Sequence, residues 1–294
     1  EDDVCALGAD ITSSIRMDRF YKPDGKTEDA ERLKRFFSCG IAEATMTTVA
    51  AGLAKEGRIP FGGSYGVFSS GRNWDQLRTT IAYNKFPVKM ADAHGGISVG
   101  PDGATHQSLE EISLITILPN FIMGVPADSV ETEKVTRAVA ARPEPAVIRY
   151  AREATPVVTT ADTPFEFGVA NVIRFRQAAS QFVDAFEQVL APEYTTENED
   201  LTIAACGPMV PEAMRAAYIL KQEFGIELGD AFLGLSFPKR RFGSRSVAVG
   251  RFPVAGEGSF PLPLRLDRQG VGVYLCRLFA YPRDLKGLGR AIDS

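Results

Sequence analysis

The sequence predicts an α/β protein: a parallel sheet flanked by helices, followed by a smaller α/β domain. Three observations carry that prediction. Short apolar runs of strand length, such as residues 4–7 and 146–150, alternate with longer amphipathic segments such as 130–142, the pattern of a parallel sheet crossed by helices. Asp10 to Ser14 follow the first apolar run directly, where parallel sheets place ligands. The chain has 294 residues, 45% of them hydrophobic, enough for two domains with substantial cores.

Residues 4–7 form the first buried strand. Residues 27–37 are a charged amphipathic segment, read as a helix leading into a strand around 36–39. Residues 42–56 are rich in Ala, Thr and Met and form a helix, with Gly57 as its natural C-terminal cap. Glu43 then lies in the first turn of a helix that begins where a strand ends. Strands over 59–62 and 87–91 flank a helix over 73–83. Helices over 109–118 and 130–142 follow, and a strand over 146–150 closes the sheet of a first domain spanning 1–155.

Residues 156–168, rich in Thr, Pro and Asp, read as a linker. The second domain, 169–294, opens with an amphipathic run over 178–190. It continues with a strand over 201–205, a turn at Cys206-Gly-Pro-Met209 and a helix over 210–224. After about residue 225 the periodicity fades. Residues 224–294 hold 11 basic and 6 acidic groups, net +5, against net −9 for the rest. That reversal fits a divergent tail, a disordered tail or a frame-shifted end. Its arginines are scattered among Gly, Pro and Phe, which argues against a nucleic-acid patch.

Composition excludes several function classes. The net charge of −4 gives no footprint for nucleic acid. No apolar run approaches the roughly 20 residues that span a bilayer, and no signal peptide precedes the first strand. Cys5, Cys39, Cys206 and Cys276 lie far apart, without metal-ligand or redox spacing. They read as free thiols in a reducing cytoplasm. The chain opens at Glu1, without a methionine, almost directly on its first strand.

Only two histidines occur, and both fall in His94-Gly-Gly-Ile-Ser-Val-Gly-Pro-Asp102-Gly-Ala-Thr-His106-Gln107. Two groups that titrate near neutral pH thus bracket one glycine-rich turn with a carboxylate between them. The glycines let the backbone fold tightly and approach a ligand closely. No third His or paired Cys lies nearby, so the segment does not read as a metal site.

With that segment in view, the chain resembles the transketolase family, specifically its pyrimidine-binding and C-terminal domains, from about Asp3 to about Gly225. The likeness rests on motifs in order: Gly-Ala-Asp10-Ile-Thr-Ser-Ser14, Cys39-Gly-Ile-Ala-Glu43-Ala-Thr-Met46, Gly62-Gly-Ser-Tyr65-Gly-Val-Phe68, and then the paired-histidine segment. Pro119-Asn120, Pro126-Ala-Asp-Ser-Val-Glu131 and Ile148-Arg-Tyr-Ala-Arg152 follow. Residues 169–200 look like an insertion relative to that family. The resemblance implies the thiamine diphosphate fold, with a parallel-sheet pyrimidine-binding domain first and a smaller α/β C-terminal domain after it.

It also implies roles. Glu43 matches the carboxylate that hydrogen-bonds the cofactor's pyrimidine nitrogen and drives the imino form that deprotonates the thiazolium. On that reading Glu43 faces a subunit interface and not its own domain core. Tyr65 and Phe68 match the aromatics that stack on the pyrimidine, and Gly71 stands where a third aromatic is usual. Asp10 matches a residue close to the cofactor. His94 and His106 match groups that bind the donor ketose and shuttle protons, and Asp102 matches the reader of the acceptor's hydroxyl. Ser14 and Arg152 match the sugar-phosphate ligands, with Arg149 as a neighbour.

Nothing resembles the Gly-Asp-Gly motif and downstream Asn that hold the diphosphate through a divalent metal. The resemblance therefore implies the C-terminal subunit of a split transketolase. An N-terminal partner subunit would carry the diphosphate-binding domain and its Mg or Ca, and this chain would pair with itself as a symmetric dimer. The rival readings are a 1-deoxyxylulose-5-phosphate synthase, which usually carries Arg where this chain has His94, a 2-oxo acid dehydrogenase β subunit, and a non-catalytic pairing subunit.

Overall fold

The computed structural model describes residues 3–195, 201–225, 230–232 and 279–280. Six strands form one sheet: β1 (Val4–Gly8), β2 (Phe36–Ser38), β3 (Ile59–Tyr65), β4 (Lys89–Ala93), β5 (Ile122–Gly124) and β6 (Ala146–Arg149). Their order is β2-β1-β3-β4-β6-β5, and every pairing is parallel. The strand expected to close the sheet, β6, lies inside it, between β4 and β5. The true edge is β5, which the apolar pattern does not announce because only three residues separate Phe121 from Val125.

The helix expected over 27–37 shrinks to one turn, α1 (Ala30–Leu33), started by the Asp29 side chain accepting from the Glu31 and Arg32 amides. It buries no residue, so no apolar face extends it. Helix α2 (Glu43–Lys55) places Met46, Ala50, Ala51 and Ala54 in the main core. Three of those four are alanines, which lets the helix lie close to the sheet. Gly57, at φ 85°, ends it in the left-handed conformation that glycine adopts freely.

The helix expected over 73–83 begins six residues earlier. A π-helical turn, Val67–Arg72, leads into α3 (Trp74–Gln76), and a second π-turn, Leu77–Ala82, completes the segment. The Trp74 indole donates to the Leu114 carbonyl at 2.8 Å, tying it to α4 (Glu111–Thr116). Helix α5 (Ser129–Ala140) follows β5 and opens on Asp128.

No helix or strand occupies residues 150–170. Beyond them β7 (Asn171–Phe175) pairs antiparallel with β8 (Phe186–Leu190) and with β10 (Asp230–Phe232). The amphipathic run over 178–190 resolves into a 3-10 turn and β8. The strand expected over 201–205 is two residues long, β9 (Leu201–Thr202), paired with β11 (Phe279–Ala280). Helix α6 (Met209–Phe224) packs Val210, Met214 and Ala217 in one cluster with Ile173, Phe175 and Phe186. Most of the charge-reversed stretch after 225 lies outside the described residues. Among the described residues, no helix is long and apolar enough to cross a membrane.

Candidate active site

The predicted site residues gather at the C-terminal ends of the parallel strands. β1 ends before Asp10, β3 ends at Tyr65, β4 ends one residue before His94, and β6 ends at Arg149. After β1 the chain moves to β2 on one side and returns to β3 on the other. Such a reversal leaves a crevice beyond the strand ends.

Four rings meet there. His94 stacks on Tyr65, with centroids 4.2 Å apart and planes 14° from parallel. Tyr65 lies parallel to Phe68 at 6.2 Å and 7°. His106 meets both edge-on, 5.9 Å from Tyr65 and 5.2 Å from Phe68. The Thr105 hydroxyl lies 2.8 Å from His106 Nδ1. His94 has φ 60° and is buried. Its Nδ1 is buried without a hydrogen-bond partner among the described residues. Burial, and then the positive charge of Arg152, hold its pKa below the ordinary histidine range. The imidazole is therefore neutral near pH 7 and able to accept a proton.

Glu43 corrects an expectation. Within the single chain it is not open to an interface; it is 2% exposed, its carboxylate lying between Ser64 at the end of β3 and a half-exposed Arg72. The Ser64 hydroxyl at the end of β3 is 3.5 Å from Oε1, and Arg72 Nη1 donates to Oε2 at 3.0 Å. The cause is the π-turn, which brings Arg72 back over the start of α2. The Arg72 guanidinium also lies over the Phe68 ring, 4.3 Å from its centroid. Asn73 donates to the Glu43 carbonyl at 3.4 Å and to the Thr47 hydroxyl, fixing that first helical turn.

A second buried carboxylate supports the cleft from below. Asp92 on β4 is fully buried and accepts from the hydroxyls of Ser69 and Ser70. Burial pushes its pKa up to about 7, against the lowering effect of the two serines. Asp92 thus ties the π-turn carrying Phe68 to the strand leading into His94. Arg149 lies beneath the turn that follows His94, paired with Glu111, which also accepts from Ser108 at 2.6 Å. A Cβ at Gly95 would sit 2.6 Å from the Arg149 Nε, and one at Gly96 2.8 Å from its Nη2. Only glycine lets the backbone pass over that ion pair. Arg149 is a support of the His94 turn.

Asp102 and Arg152 are brought together, with Oδ2 3.7 Å from Nη1, and Arg152 also donates to the Val99 carbonyl. Each is about one-third exposed, so the pair is open to a ligand. Asp10, at φ 66°, and Ser14 lie exposed on the loop after β1. Among the described residues neither shares a hydrogen bond or ion pair with the ring cluster. Sequence reasoning missed Arg72, Asp92, Ser69, Ser70 and Glu111. The one available signal was the buried-strand register of β4, which points Asp92 into the interior. Among the described residues no group of three or more His, Cys, Asp or Glu side chains is placed to hold a metal ion.

Comparison with known proteins matches residues 1–157 to the transketolase pyrimidine-binding domain family. A putative transketolase C-terminal section of Methanocaldococcus jannaschii is 34% identical over 223 residues, covering 75% of this chain and 61% of that protein. A 1-deoxy-D-xylulose-5-phosphate synthase of Desulforudis audaxviator is 35% identical over 196 residues, covering 66% of this chain and 27% of that protein. Among solved structures, a split-gene transketolase in an inactive β4 tetramer is 31% identical with a TM-score of 0.60, covering 79% of this chain and 65% of that one. The chain thus spans less than two thirds of the length of these relatives.

Proposed function

This chain belongs to the transketolase family, and on that premise we propose that it supplies the pyrimidine side of a thiamine diphosphate site. With an N-terminal subunit that holds the diphosphate and its divalent metal, it would transfer a two-carbon ketol unit between sugar phosphates. The observation that supports this most is the pairing of a buried carboxylate, Glu43, with an aromatic face, Phe68, at the mouth of the strand-end crevice. A flat, positively charged hydrogen-bond donor already fits between them in the form of the Arg72 guanidinium. The donor set therefore suits a protonated aminopyrimidine.

The cofactor, when bound, supplies a thiazolium carbon that acts as a nucleophile and electron sink toward a ketose carbonyl. The chain's own residues do the rest. Glu43, shielded from water, accepts a hydrogen bond from the ring nitrogen and stabilises its protonated form. Phe68 and Tyr65 orient the ring, stacking being worth roughly 0.5–1.5 kcal/mol. Neutral His94 accepts a proton from a substrate hydroxyl, and His106, edge-on to the same rings, binds the neighbouring oxygens. Arg152 offers its guanidinium to the sugar phosphate, and Asp102 beside it accepts from a hydroxyl of the acceptor. Ser14 and Asp10 border the site from the loop after β1.

A calorimetric titration tests this reading. Alone, the chain should bind thiamine diphosphate weakly or not at all and show no transketolase activity. With the partner subunit it should gain both. Tight, magnesium-dependent binding by the isolated chain would overturn the split-subunit assignment. The inactive β4 assembly of the related split-gene transketolase supports that division of labour. A symmetric dimer is part of the same proposal. A synthase of the 1-deoxyxylulose type would pass the cofactor test too, and product analysis with pyruvate and a sugar phosphate separates the two. The His94 imidazole favours the transketolase.

A further inference from the structure

The slot between Glu43 and Phe68 has an occupant. Arg72 Nη1 lies 3.0 Å from Glu43 Oε2, with its side chain 49% exposed and that of Glu43 only 3%. The guanidinium carbon lies 4.3 Å from the Phe68 centroid, while Tyr65 and His106 crowd the ring elsewhere. Arg72 is therefore the cover between the buried carboxylate and solvent. It sets a planar cation over the aromatic ring and an N–H on the carboxylate oxygen. A protonated pyrimidine would offer the same two features to the same two partners, so both cannot sit there at once.

We infer that Arg72 is a built-in stand-in for the cofactor ring, holding the slot while the chain is unloaded and swinging outward on loading. The inference rests on the thiamine diphosphate reading above. Two observations make the exchange mechanically plain. Arg72 ends a π-helical turn, and a Cβ at the preceding Gly71 would meet nothing within 4 Å, so there is open space beside the hinge. Its side chain is already half in water, so leaving the slot costs little solvation. The stand-in also answers a problem of the unloaded state: a buried carboxylate without a counter-charge is strongly destabilising. Arg72 supplies that charge until the ring arrives, and the ring must compete with it.

The competition is measurable in the complex with the partner subunit by calorimetric titration of magnesium and thiamine diphosphate. Arg72→Ala removes the competitor, so affinity should rise about two- to fivefold, the worth of a half-exposed ion pair. Arg72→Lys keeps a charge beside Glu43 but loses the flat stack, and should tighten binding by less. It also serves if the alanine variant folds poorly. Thermal unfolding gives an independent readout: the cofactor should raise the midpoint of the Arg72→Ala complex by more than that of wild type. Binding that weakens or stays unchanged in both variants overturns the stand-in and marks Arg72 as a ligand contact or a bystander. Failure of wild type and variants alike to bind would sink the cofactor reading itself and the stand-in with it.

Discussion

Two helices of the same domain begin with a buried carboxylate, and the two beginnings are built differently. At the start of α5, Asp128 accepts from the amides of Glu131, Val158 and Thr159 at 2.9, 2.8 and 2.7 Å and from the Thr159 hydroxyl. Glu131 accepts from the amide of Ala127, the residue before the cap, at 2.6 Å, so the helix start is tied from both sides. At the start of α2, Glu43 has one hydroxyl 3.5 Å away and one half-exposed arginine. Ala42 gives that helix no side-chain cap. Asp128 is saturated by groups that cannot leave, whereas Glu43 is held by one that can. A fully satisfied carboxylate rigidifies the fold; an under-satisfied one at a cleft keeps capacity for a ligand.

Glu43→Gln should break the comparison most sharply. The amide keeps the shape but is a poor partner for a protonated ring nitrogen, so turnover of the assembled enzyme should fall by about two orders of magnitude or more. Its unfolding midpoint should barely move. Turnover within a factor of about two of wild type would end the assigned role. Asp128→Ala should do the reverse. Losing the cap and three tertiary bonds should cost about 3–5 kcal/mol in denaturant unfolding, with activity per folded molecule retained. Equal activity losses in the two variants would erase the distinction between the two helix starts.

The smallest effect concerns protons at α5. Burial pushes the Glu131 carboxyl from its ordinary 4.5 up to about 7. Between those values the folded chain keeps a proton that the unfolded chain has lost, so stability falls as pH rises through that window and levels above it. Asp92 adds a decline of the same sign between 3.8 and about 7. Glu131→Gln should make the decline of Tm with pH shallower without abolishing it. An unchanged slope would show that Glu131 does not hold its proton in the folded state.

Glu43 was legible in the residues themselves, as the start of a helix that follows a strand; Tyr65, His94 and Arg152 came from the family resemblance, and the structure puts each of them at or just beyond a strand end. Strand β5 was not, since three residues carry no period that distinguishes a strand from a loop. The π-turn was invisible for a related reason: six residues wound at a wider pitch leave no helical repeat. Arg72 was missed with it, because its partner lies 29 residues back and nothing local marks the contact. The resemblance implied an open, interface-facing Glu43, and only the fold reveals the arginine that covers it within the single chain. Asp10 and Ser14 show the opposite limit: their motif is clear in the sequence, yet the loop after β1 leaves them beside the cleft without a bond to it.

The sheet's outermost strands, β2 and β5, are its shortest, at three residues each. An approaching polypeptide that tried to extend the sheet would find only a few backbone donors and acceptors before the ladder ran out, too few to anchor it. Runaway stacking of one molecule on the next is thereby discouraged at both margins. Association at this sheet is left instead to side chains on helices and loops, where shape and charge decide which surface is accepted. A chain whose crevice sits among such loops can admit another protein there without risking the sticky contact that open β-margins invite.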